Sequence, residues 1–219
     1  MRAARIKIQW LQWFVTALGL VLAPGAGCSD AGAGPSRLLD ELLGVESACA
    51  SVCSPADESP DDLRSKIVLL AAELRSDQGW SSDPSSRVQA LNRLVLQRLK
   101  IKQSQDLKNP DNLFLSQVLE RGQGYCVGIA SLYLVLAERL DLPIFAVATP
   151  SHVFLRYDDG TTRINIETLQ GAANVSDEQY IREQKIPERS IRRGVFMRNL
   201  TTDELLAQVH NNLGVIYSD

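Results

Sequence analysis

Between Cys126 and Leu140 the chain is apolar on nearly every side, with Ile129, Leu132, Leu134, Val135 and Leu136 distributed around a helical circumference. A helix without a polar face must be wrapped by other elements, so this segment predicts the centre of the fold. What precedes it is equally marked. Asp111, following Pro110, can cap a helix from Asn112 to about Arg121, which Gly122 and Gly124 would end, and the buried helix starts at once.

Upstream, Leu63, Ile67, Leu70 and Leu74 follow the three-and-four spacing of one helix face. Val88, Leu91, Val95 and Leu99 repeat it over 87–99, entered through Asp83-Pro84-Ser85-Ser86. After Pro143 the texture changes to strands over 144–149, 152–157 and 162–168, alternating and rich in β-branched residues. Asp158-Asp159-Gly160-Thr161 joins the last two as a hairpin turn needing φ > 0. Beyond Gly171, Ser176 with Gln179 and Thr201 with Glu204 read as capping boxes. The fold class is therefore α+β: an N-terminal helical part, a buried Cys-bearing helix packed on a small antiparallel sheet, and C-terminal helices.

A chain of 219 residues has room for one well-buried domain plus extensions. Its 23 basic and 26 acidic residues are interspersed, giving a formal charge of -3 and no basic footprint, so nucleic acid is not an expected partner. The expected organisation is a signal peptide over 1–27, a flexible tether with a short helix over 28–62, a domain over 63–200 and a C-terminal helix over 201–219. No internal repeat is evident.

The start of the chain differs in character. Arg2, Arg5 and Lys7 precede an uncharged apolar run from Ile8 to Ala23, the layout of a signal peptide and marginal in length for a spanning helix. Gly25-Ala26-Gly27-Cys28 resembles a bacterial lipoprotein cleavage site, with glycine where leucine is usual, which implies lipidation at Cys28. Plain signal-peptidase cleavage nearby is the alternative. Both predict export, and the first a bacterial membrane-anchored lipoprotein on the periplasmic side. An oxidising compartment permits Cys49 and Cys53 to pair, but their four-residue spacing requires a turn, which Pro55 is placed to supply.

A thiol becomes a useful nucleophile at a helix N-terminus, where unpaired backbone N–H groups stabilise thiolate, and beside a histidine that takes its proton. Gly124-Tyr125-Cys126 meets the first condition, the glycine letting the backbone turn sharply into the helix. Only His152 and His210 are present. His210 lies on a polar stretch of the last helix, whereas His152 begins a strand after Pro150, where active-site residues commonly sit. If the hairpin turn centres on Asp159 and Gly160, His152 stands opposite Glu167, and Asn165 shares that face at a diagonal. A carboxylate or amide there would orient the imidazole, so Glu167 leads as third member and Asn165 follows. Each residue alone has an ordinary explanation, since a buried cysteine is usually inert packing.

Together they form a recognisable order: Gly-x-Cys opening a buried helix, then His152-Val153-Phe154 on a strand, then an acid on the next strand. This resembles the transglutaminase-like superfamily, of papain-like fold. The run through Leu132-Tyr133, Ala137-Glu138-Arg139-Leu140, Pro143 and His152 is especially similar to its bacterial SirB-type branch, often joined to tetratricopeptide helices. Asn212-Leu213-Gly214-Val215-Ile216-Tyr217 resembles the opening of such a unit, on a helix that either begins a further array or docks on the domain.

The resemblance implies Cys126 as nucleophile, His152 as general base and acid, and Glu167 where aspartate is usual. It also implies an oxyanion donor from the Cys126 backbone N–H with a nearby side chain, for which Gln123 is the candidate. The implied chemistry is acyl transfer on amide or peptide bonds, by hydrolysis or transamidation, with a protein or peptide substrate, no metal and no cofactor. The competing expectation, equally compatible with the resemblance, is a non-catalytic interaction or scaffold module at the membrane.

Overall fold

The computed structural model describes residues 36–51, 54, 56–106, 108–169 and 171–218. The expected signal peptide over 1–27, the lipidation site Cys28, and Cys53 of the expected Cys49–Cys53 pair lie outside the described residues. Among the described residues no helix is long and apolar enough to cross a membrane.

The apolar segment forms α5 (Cys126–Arg139), in which every residue from Val127 to Ala137 is buried. The helices around it follow their sequence signals. Ser36 caps α1 (Arg37–Ala48), which lies within the stretch expected to be a tether with a short helix and buries Leu38, Leu39 and Leu42 in the main core. Ser59 and Asp62 form a capping box at α2 (Pro60–Ser76), whose stripe Leu63, Ile67, Leu70 and Leu74 is buried. Asp83 caps α3 (Pro84–Asn92), which continues as a π-helical stretch, Arg93–Arg98, closed by Leu99 N–H donating to the Leu94 carbonyl at 2.9 Å. Leu94 and Val95 are buried in this stretch and continue the core face of Leu91.

One expected helix is interrupted. Instead of running from Asn112 to Arg121, the chain makes a 3-10 turn at Pro110–Leu113 and an extended Phe114, then α4 (Leu115–Arg121). Asp111 does not cap α4. It accepts from Ser54 N–H and pairs with Arg121 at 3.1 Å. Gly122 ends α4 at φ 64°, as expected, but Gly124 lies in a short strand.

The main sheet has the order β3-β4-β5 and is antiparallel throughout: β3 (Ile144–Ala148), β4 (Val153–Asp158) and β5 (Arg163–Ile166). A parallel pair, β1 (Lys102–Gln103) with β2 (Gln123–Gly124), precedes α5. Strand alternation splits the main sheet's faces. Ala146, Leu155 and Ile166 join the core around α5, while Val147 and Phe154 pack with Val175, Tyr180, Ile186 and Met197 in a second, smaller core. The open edge of β3 is covered by Met197 and Leu200, whose N–H groups donate to Ala148 and Ala146.

The hairpin register departs from expectation by two residues. Leu155 pairs with Ile166 and Asp158 with Arg163, so the turn centres on Gly160 and Thr161 instead of Asp159 and Gly160. Asp159 causes the shift: its Oδ1 accepts from Thr161 N–H at 2.9 Å and Thr162 N–H at 2.7 Å, fixing it on the near side of the turn. A two-residue shift keeps each side chain on its expected face.

Three helices complete the described chain: α6 (Asp177–Glu183), capped by Ser176, α7 (Glu188–Arg192), and α8 (Thr202–Ser218), opened by the Thr201–Glu204 capping box. The last buries Leu205, Val209 and Leu213.

Candidate active site

The Cys126 end of α5 is set by a close approach of backbones. The Asn112 carbonyl accepts from Tyr125 N–H at 2.8 Å, and a Cβ at Gly128 would stand 2.4 Å from that carbonyl oxygen. A Cβ at Gly124 would meet Val118 Cγ2 at 2.8 Å. Gly124 is thus needed for room, not for a left-handed turn, a correction to the sequence reading. The hydrogen-bond ladder of α5 opens with Ile129 N–H on the Tyr125 carbonyl, so the N–H groups of Cys126, Val127 and Gly128 precede it.

Cys126 is partly accessible in this first turn. Its thiol lies beside His152 and the backbone N–H groups of Val153 and Val127, each of which favours the thiolate. Burial alone would push the thiol pKa up, but these contacts outweigh it and hold the value below that of an ordinary thiol.

His152 sits one residue before β4, with its carbonyl accepting from Thr149 N–H and hydroxyl. Its Nε2 lies 3.0 Å from Glu167 Oε1 and 2.8 Å from Oε2. The His152 side chain is 13% exposed and that of Glu167 3%, so the pair is largely shut off from bulk water. Burial lowers the imidazole pKa, but Cys126 and Glu167 reverse this and raise it to about 10.

Glu167 follows β5 and forms an isolated bridge with Ala173. Burial pushes its carboxyl up, yet hydrogen bonds from His152, Tyr180 and Leu169 bring it below the ordinary value. A carboxylate only accepts, so the hydrogen between Glu167 and His152 belongs to Nε2.

The other sequence candidates fall elsewhere. Asn165 shares Glu167's face, but pairs in the ladder with Arg156 and accepts from its Nε at 2.8 Å. The Asn165 amide nitrogen donates to Val175 and Asp177. Gln123 lies half-buried in β2, opposite Lys102 and three residues before Cys126. His210 is exposed on α8.

Sequence reasoning missed Tyr180. Its hydroxyl donates to Glu167 Oε2 at 2.7 Å, and its ring stacks on Phe154 with centroids 4.1 Å apart. The signal was slight: Tyr180 and Ile181 are the only apolar residues of α6. Arg156, 2% exposed, was missed as a structural group: it pairs with Asp177 and donates to the Met197 carbonyl, fastening α6 and the 197–200 segment to the sheet.

Fold and contacts together define an α+β domain that brings a thiol, an imidazole and a carboxylate into one constellation. Comparison with known proteins agrees. The profile of the Transglutaminase-like superfamily matches residues 61–211, more than half of the chain. F-box only protein 21 of Homo sapiens is 36% identical over 120 residues, covering 54% of this chain and 17% of that protein. The same protein of Mus musculus matches equally. A UPF0162 protein of Xylella fastidiosa is 32% identical over 128 residues, covering 55% of this chain and 45% of the relative. The chain thus spans less than half the length of these relatives, and no solved structure matches it. The chain belongs to the transglutaminase-like superfamily.

Proposed function

We propose that this protein is a cysteine-dependent acyl-transfer enzyme acting on carboxamide or peptide bonds, with Cys126 as nucleophile, His152 as proton carrier and Glu167 as its orienting carboxylate. The observation that carries this reading is that one imidazole holds a buried carboxylate through Nε2 and lies near enough to the thiol for the two to shift each other's pKa. The depressed thiol and raised imidazole favour a thiolate–imidazolium pair.

In the reaction, Cys126 Sγ bonds to the carbonyl carbon and the C–N bond breaks as imidazolium His152 gives its proton to the leaving amine. A thioester remains. Water or a second amine, losing its proton to His152, attacks the thioester and releases thiolate; water gives hydrolysis and an amine gives transamidation. The Cys126 N–H, ahead of the helical ladder, is the proposed oxyanion donor, with Gln123 as side-chain candidate.

A generic acyl donor tests the chemistry. With p-nitrophenyl acetate, the wild type is expected to release a burst of nitrophenolate and carry one acetyl group on Cys126, which hydroxylamine removes. Cys126→Ala should give no such burst, and His152→Ala a greatly slowed one. Absence of a Cys126 adduct in the folded wild type would reject catalysis and favour a binding module on the same fold.

The SirB-type placement, with α8 as the opening of a tetratricopeptide unit, is proposed on the residues that carry that likeness. Export and lipid anchoring at Cys28 are proposed on the N-terminal sequence layout. Mass spectrometry of the mature chain from bacterial membranes should show a diacylated Cys28 as first residue, lost in Cys28→Ala. An unmodified terminus cut elsewhere would contradict the lipid anchor.

A further inference from the structure

We propose that Tyr180 is a positioning residue whose hydroxyl fixes the Glu167 carboxylate against His152. This rests on the reading of Glu167 as the group that orients the imidazole.

The geometry leaves Tyr180 little freedom to do otherwise. Its ring lies nearly parallel to Phe154, 10° between planes, on the strand that His152 precedes. Its helix is tied to the sheet through Asp177, which takes Arg156 and the Asn165 amide. The hydroxyl therefore points at Glu167 Oε2 from a fixed platform, 2.7 Å away. Oε1 accepts from Leu169 N–H at 2.9 Å. Each carboxylate oxygen thus has one donor besides the imidazole, and both lie within 3.0 Å of Nε2. Glutamate, with its long side chain, needs such fixing more than a shorter acid would.

The charged groups facing this cluster are few. Glu167, Asp177 and Arg156 act on Tyr180, while Cys126 and Glu167 act on His152. Burial and Glu167 push the phenol well above its ordinary range, so it stays a donor across the working pH range.

Two mechanisms give opposite signs. If the hydroxyl only drew charge from the carboxylate, removing it would strengthen the carboxylate's hold on imidazolium and raise the His152 pKa. If it positions the carboxylate, removal lets Glu167 leave Nε2 and the His152 pKa falls.

The test is NMR titration of the imidazole in the full chain, with the two histidine signals assigned through His210→Gln, an exposed position. Tyr180→Phe keeps the ring stack and is expected to weaken His152 protonation about tenfold, a drop of about one pH unit. Glu167→Gln should lower it further, and adding Tyr180→Phe to Glu167→Gln should change nothing more. An unchanged or raised His152 pKa in Tyr180→Phe, or equal effects with and without Glu167, would overturn the proposal. The readout does not require a reactive thiol, so failure of the catalytic reading shows separately, as absence of the Cys126 acyl adduct.

Discussion

Glu167 reaches His152 Nε2 with both carboxylate oxygens, at 3.0 and 2.8 Å, from a position two residues away from direct opposition in the hairpin. The long side chain spans the diagonal, so glutamate fits here where a shorter acid would need the opposed position.

That contact fixes a pH window for stability. Glu167 is held below its ordinary 4.5, so its contribution is complete above that value and is lost as pH falls through the depressed pKa. His152 is raised from 6.5 to about 10, so its contribution is complete below 6.5 and is lost as pH rises through about 10. The difference in unfolding free energy between wild type and Glu167→Gln should therefore be largest between about pH 4.5 and 6.5, and fall on either side. Urea denaturation of both proteins across pH checks this. A difference that grows steadily to pH 10 would contradict the raised imidazole.

Gly128→Ala should damage the site from inside the helix. The added Cβ would stand 2.4 Å from the Asn112 carbonyl oxygen, which must move and carry Tyr125 N–H with it. Overpacking of this kind costs about 1–3 kcal/mol. Thermal denaturation should show that loss, and Cys126 labelling should slow; unchanged stability would mean that the two backbones part without strain.

Arg156→Ala should destabilise the protein by about 1–3 kcal/mol, because it leaves the Asn165 amide oxygen and the Met197 carbonyl without this donor and takes the cation from half-buried Asp177. Arg156→Met, of similar volume, should cost less when combined with Asp177→Asn, since no unpaired charge remains. Chemical denaturation of the single and double variants measures the coupling. Equal losses in both would show that packing, not charge, dominates.

Much of this was legible because local chemistry and tertiary context agree. The buried stripe of α2, the all-apolar α5 and the cap of α6 each follow from spacing and a side chain able to bond the backbone. The hairpin register was not, because Gly160 at φ 86° serves a turn centred on either side of it, and only the Asp159 side-chain bonds choose. The face survived because the slip was even, so His152 and Glu167 still met. Tyr180 and Arg156 were hidden for another reason: their partners, Glu167 and Asp177, are distant in sequence, and no periodicity relates them. Gly128 also carried a signal in plain view, a glycine inside a helix, whose cause is the Asn112 carbonyl beside it.

The central claim is that His152 and the first turn of α5 activate the Cys126 thiol. The direct measurement is the pH dependence of Cys126 alkylation by a small thiol reagent, read on its own peptide by mass spectrometry, in wild type, His152→Ala and Glu167→Ala. The account predicts rapid labelling well below pH ~8.5, the ordinary thiol pKa, lost in His152→Ala and weakened in Glu167→Ala. Slow labelling that follows an ordinary thiol titration in all three proteins would contradict it.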